Sequence, residues 1–157
     1  MSDKKQAFLN IIEYVNDIDG ALSEVCFPVK EITPELSIFI DNMIFTMLFN
    51  GGIGLAAPQV GKPLQIIVTS GVPFNKEDPI VLINPDLSLL GEAKDLSMEY
   101  CMSFPGMSKY VERYVEAQVT AYDREMKNRF VLYGEGIAAR ILQHEVDHCL
   151  GITLMDK

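Results

Sequence analysis

The sequence predicts an α+β fold in which antiparallel or mixed β-sheets pack around a central helix near the C-terminus, with further helices at the N-terminus. Three observations carry this expectation. Two stretches of helical apolar spacing precede residue 51, four β-rich segments lie between residues 64 and 134, and a last helical segment carries Ile137, Ala138, Ile141, Leu142 and Val146 as a face to bury. A chain of 157 residues suits one domain, expected over residues 1–157, and no internal repeat or linker divides it.

Residues 5–18 place Phe8, Ile11, Ile12, Val15 and Ile18 at helical intervals, with Gly20 to end the turn, and predict an amphipathic helix. The next start signal is Thr33 as N-cap and Pro34 at the first helical position, followed by an apolar run over residues 36–49 that Asn50 and Gly51 close. Its Met and Phe side chains are expected in the core. From residue 64 the segments LQIIVTS, PIVLINP, KYVERYVEAQVTAY and RFVLYG read as strands separated by Pro, Gly, Asn and Asp turns. In the third, Val111, Arg113, Val115, Ala117, Val119 and Ala121 alternate onto one face. Arg113 is the exception there and is expected to pair with Glu99, because a buried guanidinium needs its charge met. Residues 135–150 read as the final helix, with Gly151 placed as its C-terminal stop.

Composition narrows the function. A formal charge of −9, from 22 acidic and 13 basic residues, opposes general nucleic-acid binding. The basic spots, Lys4, Lys5 and the turn DREMKNR, read as solvated surface. The start, MSDKKQAFLN, has no apolar signal core, and no apolar run reaches the roughly 20 residues that span a bilayer, so a cytoplasmic protein without membrane contact is expected. Cys26, Cys101 and Cys149 are odd in number and widely spaced, which argues against a disulfide framework and leaves thiols for metal or redox chemistry.

Both histidines of the chain fall in QHEVDHCLG, residues 143–151. Helix positions four apart lie about 40° apart around the axis, so His144 and His148 can turn their rings to one ion. Glu145, about 100° round from His144, can reach a water on that ion without ligating it. Two histidines four apart arise by chance in roughly 1% of arrangements of such a chain, and a glutamate after the first lowers this to about 0.1%, so the metal reading outweighs an accident on an ordinary helix. The pattern suits hydrolysis, in which an ion lowers the pKa of water and a carboxylate carries the proton. A third protein ligand must come from upstream, since residue 154 is Leu154 and Asp156 is the only acidic side chain after His148. Cys149 turns away from His148 and Cys26 has no polar company, so both read as core. Cys101, in MEYCMSFPG, sits beside Glu99, Ser103 and the turn pair Pro105 and Gly106, where a bending chain can present a thiolate. Asp147 reads as a salt-bridge or cap residue.

The segment GGIGLAAPQVG, residues 51–61, fails as a phosphate loop, because Lys62 is not at Walker spacing and no G-x-G-x-x-G opens a helix. Its small residues permit close backbone approach and Gln59 brings an amide donor that tolerates burial. A tight helix-to-strand turn fits the same residues equally well.

In order and approximate spacing, GIGLAAPQ at 52–59, EYCMS at 99–103 and QHEVDH at 143–148 resemble the three motifs of peptide deformylases. CFPV, VLINP, AYD and GIAARILQHEVDHCLGITLMD are supporting similarities, and the resemblance covers about residues 22–156. It implies Cys101, His144 and His148 as metal ligands, Glu145 as general acid/base, and an oxyanion hole from Gln59 and the backbone N–H of Met102. It also implies ferrous iron, with nickel, cobalt or zinc able to substitute, and removal of the formyl group from N-formylmethionyl peptides and nascent chains with release of formate. By the same resemblance Gly52, Ile53 and Gly54 pair with an extended substrate, Glu99 and Tyr100 border it, and Ile137 and Ile141 either wall the methionine pocket or pack in the core.

Three features depart from the family pattern. Tyr100 stands where a glycine is usual and adds bulk beside Cys101, the residues before Leu22 lack the usual opening, and the sequence stops at Lys157 without the C-terminal helix of many bacterial members. A compact, monomeric form with at most transient ribosome contact is therefore expected. Two other functions fit the residues: a metallopeptidase without formyl preference, and a non-catalytic domain that keeps a structural metal.

Overall fold

Thr33 Oγ1 accepts the N–H of Leu36 and Pro34 fills the first helical position, so that helix α1 runs Pro34–Phe49 in the computed structural model, which describes residues 6–157. Phe39, Ile40, Met43, Thr46 and Met47, spaced by three and four, form its buried stripe. Five strands follow: β1 (Gly54–Ala56), β2 (Ile66–Thr69), β3 (Ile80–Glu99), β4 (Lys109–Tyr122) and β5 (Arg129–Glu135). They form a single sheet in the order β1-β2-β3-β4-β5, each pair antiparallel. Outside it, Phe27 makes a parallel bridge to Leu64. Helix α2 (Ile137–Cys149) closes the order.

Side-chain alternation explains how the sheet sits between the helices. Ile66 and Val68 join Leu55, Val81 and Ile83 against Met43 and Met47 of α1. Ile67, one residue out of phase, joins Ala56 and Leu82 against Leu142 and Val146 of α2. All four residues of β2 are buried, which is why that strand reads as an unbroken apolar run. Further along, Val119, Ala121 and Leu132 continue the α2 side of the core. Strand β4 keeps the predicted limits, with Val111, Arg113, Ala117, Val119 and Ala121 inward.

Two expectations are corrected. Residues 6–13 of the predicted helix 5–18 are not helical, and only a 3-10 turn, Tyr14–Asn16, forms there. The N–H groups of Leu9, Ile12 and Tyr14 donate instead to Thr46 Oγ1 (3.0 Å), Gln59 O (2.7 Å) and Ser103 O (2.7 Å). A helix would need those donors for its own carbonyls, and a short segment with β-branched residues forfeits them to tertiary partners. Lys4 and Lys5 lie outside the described residues. Strand β3 also outruns its prediction: beyond PIVLINP it continues through residues 86–99, crossing register shifts at Ile83/Asp86 and Leu90/Lys94. Such irregularities bend a strand. Most of that arm is exposed, so its sequence lacks the apolar alternation that marks a half-buried strand.

The bent arm positions the site, because it delivers Glu99 to α2 and releases the chain into the turn holding Cys101. Phe104, 2% exposed, plugs that turn against Val111 and Leu154 and donates its N–H to Cys101 O at 2.9 Å. At the other end of α2, Gly151 takes φ +73°, and a Cβ there would meet Ser23 O at 2.5 Å, so only glycine ends the helix in this place. No helix of the described residues is long and apolar enough to cross a membrane.

Candidate active site

Helix α2 is buried on nearly every side, including the polar residues Arg140, Gln143, Glu145 and His148. Buried polar groups are tolerated when bonded, and Gln143 shows the rule: its amide accepts from Tyr114 N and donates to Tyr114 O and Ala139 O, which pins the helix to β4. The exceptions mark the site. On this helix, His148 Nδ1 and Glu145 Oε2 are buried with no hydrogen-bond partner among the described residues.

His144 and His148, one turn apart, bring their Nε2 atoms to 3.2 Å, and Cys101 Sγ stands 3.4 Å from His148 Nε2. The ligating atoms of the three residues all lie within 4.8 Å of one another. Two imidazole nitrogens and a sulfur at these separations suit the ligand spacing around one tetrahedral ion, and imidazole with thiolate is a donor set for zinc, iron and related metals. The residues fit a metal.

The surroundings push the two imidazoles in opposite directions. Burial alone would depress the His144 imidazole, but hydrogen bonds to Cys101 and Glu99 and the charges of Glu145 and Cys101 outweigh it and raise the pKa to about 10. His148 is held well below the usual range by burial and then by the charge on His144. Glu99 would be raised by burial, yet hydrogen bonds from His144 and Arg113 hold it well below ordinary carboxylates. Glu145 goes the other way: burial pushes its pKa up to about 7, the value of a group that gives and takes protons near neutrality.

A cleft of about 400 Å³ opens on this cluster. Its lining includes Gly52, Ile53, Gly54, Gln59, Glu99, Tyr100, Cys101, Met102, Ile137, Ile141, His144 and Glu145. Of the metal-ligand, catalytic and substrate-contact residues expected from sequence, His148 alone is not on the cleft wall and lies behind it, 1% exposed. Gln59 donates through Nε2 to Cys101 Sγ (3.4 Å) and Ser103 Oγ (3.1 Å), while its Oε1 accepts Ala56 N–H (2.9 Å). A Cβ at Gly54 would fall 2.6 Å from Glu145 Oε1, so the glycine is what lets β1 approach the carboxylate.

The sequence model of the polypeptide deformylase family matches residues 9–157. The chain belongs to the polypeptide deformylase family. A peptide deformylase of Desulfitobacterium hafniense is 40% identical over 151 residues, covering 96% of this chain and 95% of that protein. The crystal structure of peptide deformylase from Thermotoga maritima superposes with a TM-score of 0.86 at 30% identity, covering 96% and 97% of the two chains. A class I type b peptide deformylase from Acinetobacter baumannii, with Met-Ala-Ser bound, superposes with a TM-score of 0.85 at 28% identity, covering 96% and 98%. As in the rest of the deformylase family, the reaction is hydrolytic removal of the N-formyl group from newly made polypeptides.

The structure brings Glu99 to the cleft wall but commits its carboxylate to the protein: Oε1 accepts from Arg113 Nε and Arg140 Nη1, both at 2.8 Å, and Oε2 from Arg113 Nη2 at 3.0 Å and His144 Nδ1 at 2.9 Å. The predicted Arg113–Glu99 pair is present, and Asp147 is a salt-bridge residue, bonded to Arg113 and Lys157. Cys26 and Cys149 are buried, each 4% exposed. Sequence reasoning missed Arg140 and Asp95. A charged residue one turn before His144, between Ala139 and Ile141 on a helix read as buried, was the available signal.

Proposed function

We propose that Cys101, His144 and His148 hold one ferrous ion, and that the chain uses it to deformylate the N-terminal formylmethionine of nascent polypeptides. Bound there, the ion supplies Lewis acidity and lowers the pKa of water. The observation that carries the reading is the convergence of three ligating atoms within 4.8 Å, beside a buried carboxylate with an unbonded oxygen.

Each remaining step falls to a residue of the chain. Glu145, poised near neutrality, takes the proton of the attacking water and returns it to the leaving amine. The oxygen of the formyl group gathers negative charge, which one N–H of Gln59 meets by leaving Cys101 Sγ, together with the backbone N–H of Met102. Gly52 and Ile53, leading into the edge strand β1, and Gly54 at its start pair with the substrate backbone. Ile137 and Ile141 take the methionine side chain, and Tyr100, 73% exposed on the cleft rim, meets the residues after it. Glu99 serves the site by orienting His144, since both its oxygens are taken within the protein. The chain acts as one domain and a monomer in the cytoplasm on formylated nascent chains, touching the ribosome at most transiently and binding no nucleic acid in general.

Anaerobic purification with metal analysis, followed by assay of formyl-Met-Ala-Ser beside acetyl-Met-Ala-Ser and free Met-Ala-Ser, tests this. Iron near one per chain and turnover of the formyl peptide alone are expected. Equal cleavage of the acetyl peptide would replace deformylation with a broader amidase.

A further inference from the structure

Arg140 lies one turn before His144 on α2 and is 6% exposed. A guanidinium so buried is stable only if its charge and donors are met. Nη1 donates to Glu99 Oε1 and to Val111 O, both at 2.8 Å, and Nη2 donates to Asp95 Oδ1 at 2.7 Å and Asp95 O at 3.1 Å. Asp95 and Glu99 sit four residues apart on β3, so one side chain spans one face of that strand from the helix.

The grip on Glu99 has a particular form. His144 holds Oε2 and Arg140 holds Oε1, so two residues one turn apart on the same helix take the two oxygens of one carboxylate. Arg113 also binds both oxygens, but from β4, and reaches α2 only through a further bond to Asp147. Arg140 is the cation on the helix bearing His144 and His148 that bonds Glu99 directly. With Glu99 ionised and held, His144 Nδ1 must donate, which turns its Nε2 lone pair toward Cys101 and His148.

We infer that Arg140 is a positioning residue that acts through Glu99 to set the tautomer and direction of His144, and hence the metal affinity of the Cys101, His144 and His148 cluster. The inference rests on the metal-centre reading given above. It assigns a role to a residue that meets the metal only through Glu99 and His144.

A double-mutant cycle on the full chain, loaded anaerobically with Co²⁺, tests it. The readouts are the visible cobalt bands and the Co²⁺ affinity by competition with a chelator. R140Q is expected to weaken Co²⁺ binding by about 10- to 100-fold and to shift the ligand-field bands. E99Q is expected to do the same, and adding R140Q to E99Q should change affinity by less than about twofold, because the path through Glu99 is already cut. Unchanged affinity and bands in R140Q, or the same large loss when it is added to E99Q, would overturn the inference. If R140Q does not fold, R140K serves: it keeps the charge but cannot span both carboxylates, so a loss of about two- to tenfold is expected and unchanged binding overturns the idea. Absence of cobalt bands in the unmutated chain would instead sink the metal-centre reading itself.

Discussion

At the scale of single residues, Glu145 and its neighbours decide what the site can do. E145Q keeps the shape of the side chain and removes the proposed proton carrier, so kcat on formyl-Met-Ala-Ser should fall by about 10²- to 10⁴-fold while metal content holds. Loss of both together would make Glu145 a structural group. At Tyr100 the expectation is selective: Y100G should alter KM for peptides that vary after the methionine and leave formyl-Met alone unaffected, because the ring lines the cleft yet is 73% exposed. Equal effects on both substrates would place Tyr100 in the support of Cys101. The His-Glu-His stride was legible in sequence because helix geometry converts a spacing of four into a shared face. Glu99 was legible as the expected partner of Arg113 and a border of the cleft, but not as the group that holds His144. Its role emerged when its oxygens were found on Arg113, Arg140 and His144, residues 14, 41 and 45 positions away.

Among the elements, α1 and α2 were the most readable and the N-terminal strap and the β3 arm the least. Thr33, Pro34 and Gly151 announce helix ends through local backbone chemistry, whereas residues 6–13 take their conformation from Thr46, Gln59 and Ser103. Leu142, 1% exposed between α2 and the sheet, is expected to cost about 2–5 kcal/mol on replacement by Ala, measured by urea unfolding. A cost under about 1 kcal/mol would mean the α2 interface is loosely packed. The β4–β5 turn carries a pH-dependent element. Asp123 accepts Lys127 N–H and Asn128 Nδ2, and these bonds lower its pKa. A depressed folded-state pKa means the contribution is present above the unfolded value of about 3.9 and is lost as pH falls through the folded one. The destabilisation of D123A, compared with the unmutated chain at pH 7 and near pH 3, should therefore shrink on acidification. A gap that stays constant with pH would show that the carboxylate charge does not matter to the turn.

For the whole molecule, an ion held as proposed by Cys101, His144 and His148 would join the turn after β3 to α2 and so contribute to stability as well as chemistry. A metal that binds the folded chain alone stabilises it by about 2.7 kcal/mol at 100 times its Kd, on the order of 5–10 °C in Tm for a chain of this length. Scanning calorimetry of the holoprotein before and after a chelator should show that drop, and reloading with Ni²⁺ or Co²⁺ should restore it. An unmoved Tm would mean the three side chains are not bridged. By itself the sequence determined the α+β class, the limits of α1 and β4, the last helix to within two residues, and the pairing of two histidines with a glutamate, because caps, alternation and helical stride act within a few residues. Only the tertiary structure decided that Cys101 reaches His148 from 47 residues away, that Arg140 joins Arg113 on Glu99, and that the N-terminal segment runs as a strap. Those outcomes depend on which buried donors find acceptors once the sheet and helix have packed, and no local pattern encodes that.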